Sequence, residues 1–263
     1  MLCFSNKIHY LGSVFFFGGY IIMIIDYIDL SMVDYPGYLS SICFFRGCQL
    51  RCLYCHNSSL VLPELFEVID NDIEEKYFKY LDNNKNILEA VVISGGEPLL
   101  DNNLEKFIKR VKSFGLLIKL DTNGFLPDVL ERYLKMNIID YVALDFKALP
   151  RDLERLVGLT EKRANEYFLA FDTTLKLLIK YNINFEVRTT VINEVHNEEI
   201  LIKMSEHLAN RLANSKVIWY LQNYQESKDN LYHFIDENII INSCSLQELE
   251  MINKKTKYKF KIR

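Results

Sequence analysis

Short apolar runs alternate along the chain with amphipathic stretches, and this alternation constrains the fold more than any other feature of the sequence. The apolar runs are Leu39–Phe45, Ala90–Ser94, Leu116–Asp121, Tyr141–Phe146, Phe185–Val191 and Val217–Leu221. Helix-like stretches lie near Ile73–Leu81, Asn103–Phe114, Asp128–Met136, Glu161–Tyr181 and Glu198–Ala213. Continuously apolar runs are typical of parallel strands covered on both faces, and a repeated strand–helix–strand order implies right-handed crossovers. We therefore predict an α/β fold, a partial (β/α)6 TIM-like barrel of parallel strands.

The two ends of the chain depart from this pattern. Residues Leu11–Ile25 are almost entirely apolar, but the stretch is shorter than the ~20 residues that cross a bilayer. Three interpretations stay open for residues 1–22: a segment upstream of a true start at Met23, which we favour, an apolar arm of the domain, or an export signal. Ser243–Lys255 predicts a further helix, and the terminal KYKFKIR is a candidate last strand. Because no low-complexity linker interrupts the pattern, residues 23–263 are expected to form a single domain.

Composition argues against several classes of partner. The net charge is −4 with 25% charged residues, so the chain has no basic field of the kind that binds nucleic acid. Six cysteines among 263 residues do not make a disulfide scaffold. Clustered free thiols suit a reducing compartment, which predicts a cytoplasmic protein rather than a membrane protein.

Polar motifs stand where the predicted strands end. In chain order they are GCQLRCLYCHN, SGGEP (Ser94–Pro98), DTNG (Asp121–Gly124), DFK (Asp145–Lys147), Arg188 and LQNY. Parallel α/β folds place their sites at the carboxyl ends of the strands, so we expect these motifs to meet in one site. Asp145 and Lys147 are two residues apart on a strand and should share a face. Asp121 and Asp145 end neighbouring strands, and a cation bound between them is a further expectation.

Three cysteines crowd into the first of these motifs with the spacing C-x3-C-x2-C. Thiolates favour zinc, copper(I) or iron–sulfur clusters. A zinc site would need a fourth ligand, and His56 is poorly spaced for that role because it adjoins Cys55. A 4Fe–4S cluster with three cysteine ligands would leave one iron open for a small molecule. Unmetallated core thiols are disfavoured because the loop is polar. Cys43 is expected to be a buried small apolar residue, and Cys3 and Cys244 are assigned no role.

The cysteine spacing, with the aromatic Tyr54 before the last cysteine, resembles that of the radical S-adenosylmethionine (SAM) superfamily. GGEP in the next βα unit extends the resemblance. The chain more specifically resembles the glycyl-radical-enzyme activases, through the motifs DYPG, CHN, DTNG and DFK. Within this group the resemblance is greatest to the activating proteins of anaerobic ribonucleoside-triphosphate reductase, and pyruvate formate-lyase activase is a near relative. The resemblance covers about residues 29–224, which leaves residues 225–263 as a C-terminal extension of unassigned role.

The resemblance implies a 4Fe–4S cluster whose open iron is chelated by the amino and carboxylate groups of SAM. The metal ligands would be Cys48, Cys52 and Cys55. The residues that contact SAM would be Tyr54, Gly95, Gly96, Glu97, Thr122, Asn123, Asp145, Lys147 and Arg188. Among these, Glu97 would accept a charge-assisted hydrogen bond from the SAM ammonium group, and Arg188 would face its carboxylate. Gly95 and Gly96 would allow a close approach of backbone that a Cβ would block. No catalytic acid or base is assigned, because the cluster and SAM carry the chemistry.

The reaction implied is one-electron cleavage of SAM to methionine and a 5′-deoxyadenosyl radical, which removes a hydrogen atom from a glycine α-carbon of a glycyl-radical enzyme. Flavodoxin or ferredoxin would supply the electron. One alternative keeps this chemistry on a small molecule, as in 7-carboxy-7-deazaguanine synthase, and another is a zinc or iron–sulfur binding module without activity. CHN and DYPG favour the activase over the first alternative, and GGEP argues against the second.

Overall fold

The structure, a computed structural model, describes residues 24–66, 70–213, 215–235 and 240–263. The expectations for residues 1–22 and for Cys3 fall outside these ranges. The described strands are β1 (Ile24–Ser31), β2 (Ser40–Phe45), β3 (Ala90–Gly95), β4 (Leu117–Thr122), β5 (Tyr141–Asp145), β6 (Asn184–Val191), β7 (Ile218–Asn223) and β8 (Phe260–Ile262). They form one sheet in the order of the chain. β1 pairs antiparallel with β2, and each later strand pairs parallel with the one before it.

Helices connect the parallel strands. The described helices are α1 (Ser58–Val61), α2 (Ile73–Asn84), α3 (Leu104–Lys112), α4 (Pro127–Lys135), α5 (Pro150–Val157), α6 (Glu161–Lys180), α7 (Glu198–Arg211), α8 (Tyr232–Ile235) and α9 (Leu246–Lys255). α3 illustrates how they pack: it buries Leu104, Phe107, Ile108 and Val111, the i, i+3, i+4, i+7 stripe of an amphipathic helix. Where α6 begins, the hydroxyl of Thr160 accepts from the amide of Arg163 and caps the helix.

The predicted fold class is confirmed. The six predicted strands correspond to β2–β7, and the candidate strand in KYKFKIR is present as β8. The sequence pattern missed β1, because Asp26 and Asp29 interrupt its apolar residues and its first two residues, Ile24 and Ile25, also end the preceding apolar stretch. It also missed α5, which begins at a proline. Since β1 and β8 are both edge strands, the sheet of the described residues stays open rather than closing into a ring.

A continuous apolar core lies between the sheet and the helices. Trp219 on β7 is fully buried there, and its indole N–H donates to the hydroxyl of Thr189 on β6 at 3.0 Å. Phe260 of β8 packs edge-on against the same indole, with 5.4 Å between ring centroids. A second apolar cluster surrounds the cysteine loop and includes Leu156 of α5 and Leu231 beyond β7. Two distant parts of the chain therefore pack on the loop.

None of the helices within the described ranges is both long enough and apolar enough to cross a membrane.

The packing of β8 predicts the effect of removing its one buried aromatic ring. Phe260→Ala should lower the free energy of unfolding by about 3–5 kcal/mol, because it deletes a buried ring from the core. The single tryptophan, Trp219, should then emit at longer wavelength, since its partner ring is gone. Urea unfolding followed by tryptophan fluorescence measures both effects. Lys261→Ala, an exposed site on the same strand, is the matched control and should change stability by less than about 0.5 kcal/mol. Equal stabilities for the two variants would contradict the docking of β8.

Candidate active site at the carboxyl ends of the strands

A cavity opens at the carboxyl ends of β2–β7. Its walls contain the three cysteines together with Tyr54, Gly95, Gly96, Thr122, Asn123, Asp145, Lys147 and Arg188. Of the residues that the sequence predicts for the site, Glu97 alone is absent from this lining. The cavity volume of about 230 Å³ exceeds that of a cavity of ~150 Å³ that holds a benzene ring. It can therefore receive part of an organic molecule as well as an ion.

The cysteine loop follows β2 directly. Cys48 and Cys52 are buried and Cys55 is partly exposed, and all three thiols are free. The loop lacks regular secondary structure, so its shape depends on hydrogen bonds to other segments. The amides of Arg51 and Leu53 donate to the carbonyls of Val157 and Leu156 at the end of α5, at 2.8 and 3.0 Å. The Arg51 guanidinium also donates back to the carbonyls of Cys48 and Leu50.

The chemistry of this donor set fits a cluster better than a single ion. Burial raises the pKa of the Cys52 thiol to about 11 and raises the pKa values of Cys48 and Cys55 as well, so the thiols need a bound cation to become thiolates. Across the described residues, no three His, Cys, Asp or Glu side chains are arranged to hold one metal ion. A 4Fe–4S cluster does not require such convergence, because each cysteine binds a different iron. His56 is exposed, which also weighs against a zinc site.

The two glycines of GGEP lie against the backbone at the end of β2 and at the start of the cysteine loop. Gly95 has a φ of +113°, and a Cβ there would stand 2.4 Å from the carbonyl oxygen of Phe45. A Cβ on Gly96 would stand 2.0 Å from the carbonyl oxygen of Gly47. The amide of Glu97 donates to that same Gly47 carbonyl at 2.7 Å. Both positions therefore require glycine: Gly95 permits a close approach to the end of β2, and Gly96 permits one to the cysteine loop.

Glu97 lies behind the cavity wall and is fully buried. Its carboxylate accepts from the hydroxyl of Thr122 at 2.9 Å and from the amides of Asn123 and Leu99 at 2.8 and 3.2 Å. Burial raises the pKa of Glu97 to about 7, although these hydrogen bonds favour the charged form. Its direct contact with a ligand ammonium group stays a prediction. The hydrogen bonds of Glu97 hold the conformation of the DTNG turn. In that turn, the side-chain amide of Asn123 lies 3.8 Å from Cys48 Sγ.

Alternating charges cross the floor of the cavity. Asp121 accepts from Lys119 at 2.6 Å and from Arg188 at 3.1 Å, and Asp145 accepts from Arg188 at 3.3 Å and from Lys147 at 2.8 Å. Three cations and two anions leave this network with a net charge of +1. Burial opposes the charged form of Asp121, but Arg188 and Lys119 outweigh it and lower its pKa to about 2. The position between Asp121 and Asp145, where the sequence predicted a bound cation, is taken by the Arg188 guanidinium.

Lys119 is the member of this network that sequence reasoning missed, and a signal for it existed. KLD on β4, DFK at the end of β5 and EVR on β6 each place two charged residues two positions apart. In a strand that spacing puts both side chains on one face. Three such pairs on consecutive strands indicate a charged interior at one end of the barrel, and Glu186 of the third pair is indeed buried.

Tyr54 lines the cavity and carries a buried polar atom. Its hydroxyl is buried and has no hydrogen-bond partner within the described part of the chain. The ammonium group of Lys147 lies 5.6 Å from the centre of its ring. Because an unpaired buried hydroxyl is costly, the site fits a ligand that supplies a polar group beside Tyr54.

Two further residues hold the strand-end motifs in place. Tyr167 on α6 is buried, and its hydroxyl donates to the carbonyl of Asn123 at 3.0 Å. His196 is buried in the loop after β6, where its Nδ1 accepts from the amide of Ile192 at 3.1 Å. Its Nε2 therefore carries the proton and donates to the carbonyl of Lys147 at 2.9 Å. No motif in the sequence marked either residue, since their partners are backbone atoms rather than side chains.

Comparison with known proteins agrees with this geometry. Residues 42–205 match the family model of the Radical SAM superfamily. MJ1227 of Methanocaldococcus jannaschii, provisionally named a glycyl-radical enzyme activating enzyme, is 37% identical over 177 residues, 65% of this chain and 69% of that protein. The pyruvate formate-lyase 1-activating enzyme of Escherichia coli strain K12 is 32% identical over 157 residues, 57% of this chain and 62% of that enzyme.

Solved structures show the same fold. Streptococcus suis SuiB bound to S-adenosylmethionine aligns with a TM-score of 0.57 at 16% identity, over 82% of this chain and 48% of SuiB. This chain therefore spans about half the length of SuiB, and at this identity the likeness concerns the fold alone.

The buried histidine predicts a pH dependence. Burial lowers the pKa of His196 to about 4, whereas an unfolded histidine titrates near ~6.5. Unfolding therefore takes up a proton between these values, so the stability that the neutral imidazole provides is complete above pH ~6.5 and is lost as the pH falls toward 4. His196→Gln does not titrate. The stability difference between wild type and this variant should shrink by about 2 kcal/mol from pH 7 to pH 5 in urea unfolding. A difference that is constant over this range would contradict the assignment of a neutral, buried His196.

Proposed function

Because the chain belongs to the Radical SAM superfamily, we propose that it is a glycyl-radical enzyme activating enzyme that cleaves SAM reductively and places a radical on a glycine of a partner enzyme. The proposed partner is anaerobic ribonucleoside-triphosphate reductase. The similarity to MJ1227 and to the pyruvate formate-lyase 1-activating enzyme supports the activase class. The observation that carries the proposal is that the cysteine loop, the Gly95–Gly96 turn and the charge network share one cavity.

In this proposal Cys48, Cys52 and Cys55 hold a 4Fe–4S cluster, and the cavity beside it holds SAM. When bound, the cluster and SAM supply one-electron chemistry that yields an organic radical. The chain's own contribution is to bind and orient. The net positive network of Asp121, Arg188 and their neighbours suits the carboxylate of SAM. Tyr54 lines the same cavity, and its unpaired hydroxyl is proposed to hydrogen-bond to SAM.

The proposed roles of the other predicted contacts follow their positions. Gly95 and Gly96 form the wall next to the cysteine loop, and Thr122 and Asn123 form the adjacent wall. Asp145 and Lys147 line the side nearest Tyr54. These polar groups are held by hydrogen bonds within the chain, so they are oriented before a ligand arrives, which lowers the cost of binding.

The open sheet supports a protein substrate. A glycine loop of a partner must enter the barrel from the side, and the lack of pairing between β1 and β8 in the described sheet leaves room for such a segment. The loop has to leave its own fold, so the encounter should be weak and conformationally gated. We also propose that residues 23–263 act as a single domain in the cytoplasm. Flavodoxin or ferredoxin is the proposed electron donor.

The ligand assignment can be tested by removing thiols. Cys48→Ala, Cys52→Ala and Cys55→Ala should each lose the brown colour and the cluster iron after anaerobic reconstitution, and each should lose SAM cleavage. The fold should persist, since the main apolar core between the sheet and the helices contains none of the three cysteines. Cys43→Ala and Cys244→Ala are the controls and should keep both iron and activity, because these buried thiols lie outside the cavity lining. Full cleavage by any of the first three variants would refute the assignment.

The identity of the substrate can be tested by tracing the hydrogen atom that the 5′-deoxyadenosyl radical removes. The reduced protein is mixed anaerobically with SAM and with anaerobic ribonucleoside-triphosphate reductase that carries α-deuterated glycine. We expect a protein-radical doublet in the electron paramagnetic resonance spectrum and deuterium in 5′-deoxyadenosine, because the glycine α-carbon is the hydrogen donor. If label arrives only from a deuterated deazapurine precursor, with no radical on the reductase, the activase proposal fails and a small-molecule radical SAM enzyme replaces it.

A further inference from the structure

The segment that follows β7, residues 224–235, crosses over the cysteine loop. The amide of Leu231 donates to the carbonyl of Cys55 at 2.9 Å, and the amide of Tyr232 donates to the carbonyl of Leu53 at 3.1 Å. On its other side, the same loop donates amides to the carbonyls at the end of α5. The loop is thus held along both edges, much as a central strand is held by two neighbours. We name residues 224–235 the brace.

We infer that the brace is a positioning element of the cysteine loop and that Glu226 is the residue that locks it. The brace lies beyond the part of the chain that matches the family model, residues 42–205. The inference depends on the proposed function only for the identity of the group that the cysteines hold.

The brace is built into the structure at both of its ends. At its start, the amide of Tyr224 donates to the carbonyl of Val191 at the end of β6, at 3.2 Å. At its far end, Asn230, Leu231 and Tyr232 are buried. Leu231 and Tyr232 belong to the same apolar cluster as Cys48 and Cys52. The brace therefore transmits the position of the sheet to the loop through packed side chains and backbone hydrogen bonds.

Glu226 closes the turn between these two ends. Its carboxylate accepts from the hydroxyl of Tyr224 at 2.7 Å, from the hydroxyl of Tyr232 and from Nε2 of His233 at 2.9 Å. The side chain of Asn230 adds a hydrogen bond to the Tyr224 hydroxyl at 2.6 Å. Hydrogen bonds to an ionised carboxylate are about twice as strong as neutral ones. One carboxylate thus ties the start of the brace to the residues that contact the loop.

The loop needs such support because of what it must do. Three sulfur atoms have to keep fixed spacing, and the loop that carries them has no regular secondary structure. A displacement of the Cys55 carbonyl also displaces the Cys55 sulfur, which belongs to the same residue. Sites of this kind depend on supporting residues that hold the ligands within a fraction of an ångström.

Glu226 offers a clean variant because 56% of its side chain is exposed. Glu226→Ala removes the shared acceptor without opening a cavity in the core. Glu250→Ala, at an exposed carboxylate on α9, is the matched control. Tyr232→Phe keeps the ring and the backbone amide and removes one donor, so it serves as a milder variant if Glu226→Ala does not fold.

The first measurement is amide hydrogen exchange in the metal-free protein, which does not depend on the proposed function. Glu226→Ala should speed exchange at the amides of Leu231, Tyr232 and Cys55 by about 10-fold, and Tyr232→Phe by about 3-fold, because each loses hydrogen bonds to a charged group. Glu250→Ala should match wild type. Unchanged exchange at these amides in both brace variants would overturn the inference.

The second measurement is the rate at which a chelator removes iron from the reconstituted protein. Glu226→Ala should release iron about 10-fold faster than wild type and Glu250→Ala at the wild-type rate, while Glu226→Gln should recover part of the loss. Faster exchange with an unchanged rate of iron release would overturn the positioning role. If wild type binds no iron–sulfur cluster, the proposed function fails, and the exchange experiment still decides whether the brace holds the loop.

Discussion

The loop that carries Cys48, Cys52 and Cys55 has no regular secondary structure, and the rest of the site depends on how other segments restrain it. The end of α5 accepts its amides, the GGEP turn packs on its backbone, and Leu231 donates to one of its carbonyls. These partners come from parts of the chain that are far apart in sequence. The spacing of the three sulfurs is therefore a property of the folded domain and not of the motif alone.

A second constraint is the burial of charge at the carboxyl ends of β4–β6. Lys119, Asp121, Arg188, Asp145 and Lys147 alternate in sign across neighbouring strands, so each charge has an opposite partner within hydrogen-bond distance. Such burial is costly unless the pairing is good, and a packed apolar interior would often be as stable. At the wall of the cavity these ion pairs form a surface with a net positive charge, and the proposed function assigns to that surface the binding of an anionic group.

The predicted site and the observed cavity agree closely because parallel strands deliver their ends to one edge of the sheet. Knowing only the strand order, one can expect that Gly95, Thr122, Asp145 and Arg188 meet, and they do. Glu97 shows the limit of this reasoning. It follows the same strand end as Gly95, yet it turns behind the wall, where Thr122 and the DTNG turn capture its carboxylate.

The sequence by itself determined the parallel α/β class, the strand order and the cysteine motif, because apolar periodicity and residue spacing are local properties of a chain. It left β1 and α5 unseen, since two aspartates interrupt the apolar residues of the edge strand β1 and α5 spans only eight residues. Only the tertiary structure decided that Arg188 bridges two carboxylates and that residues beyond β7 brace the cysteine loop. Those contacts join segments distant in sequence through single hydrogen bonds, many of them to backbone atoms, which no residue pattern encodes.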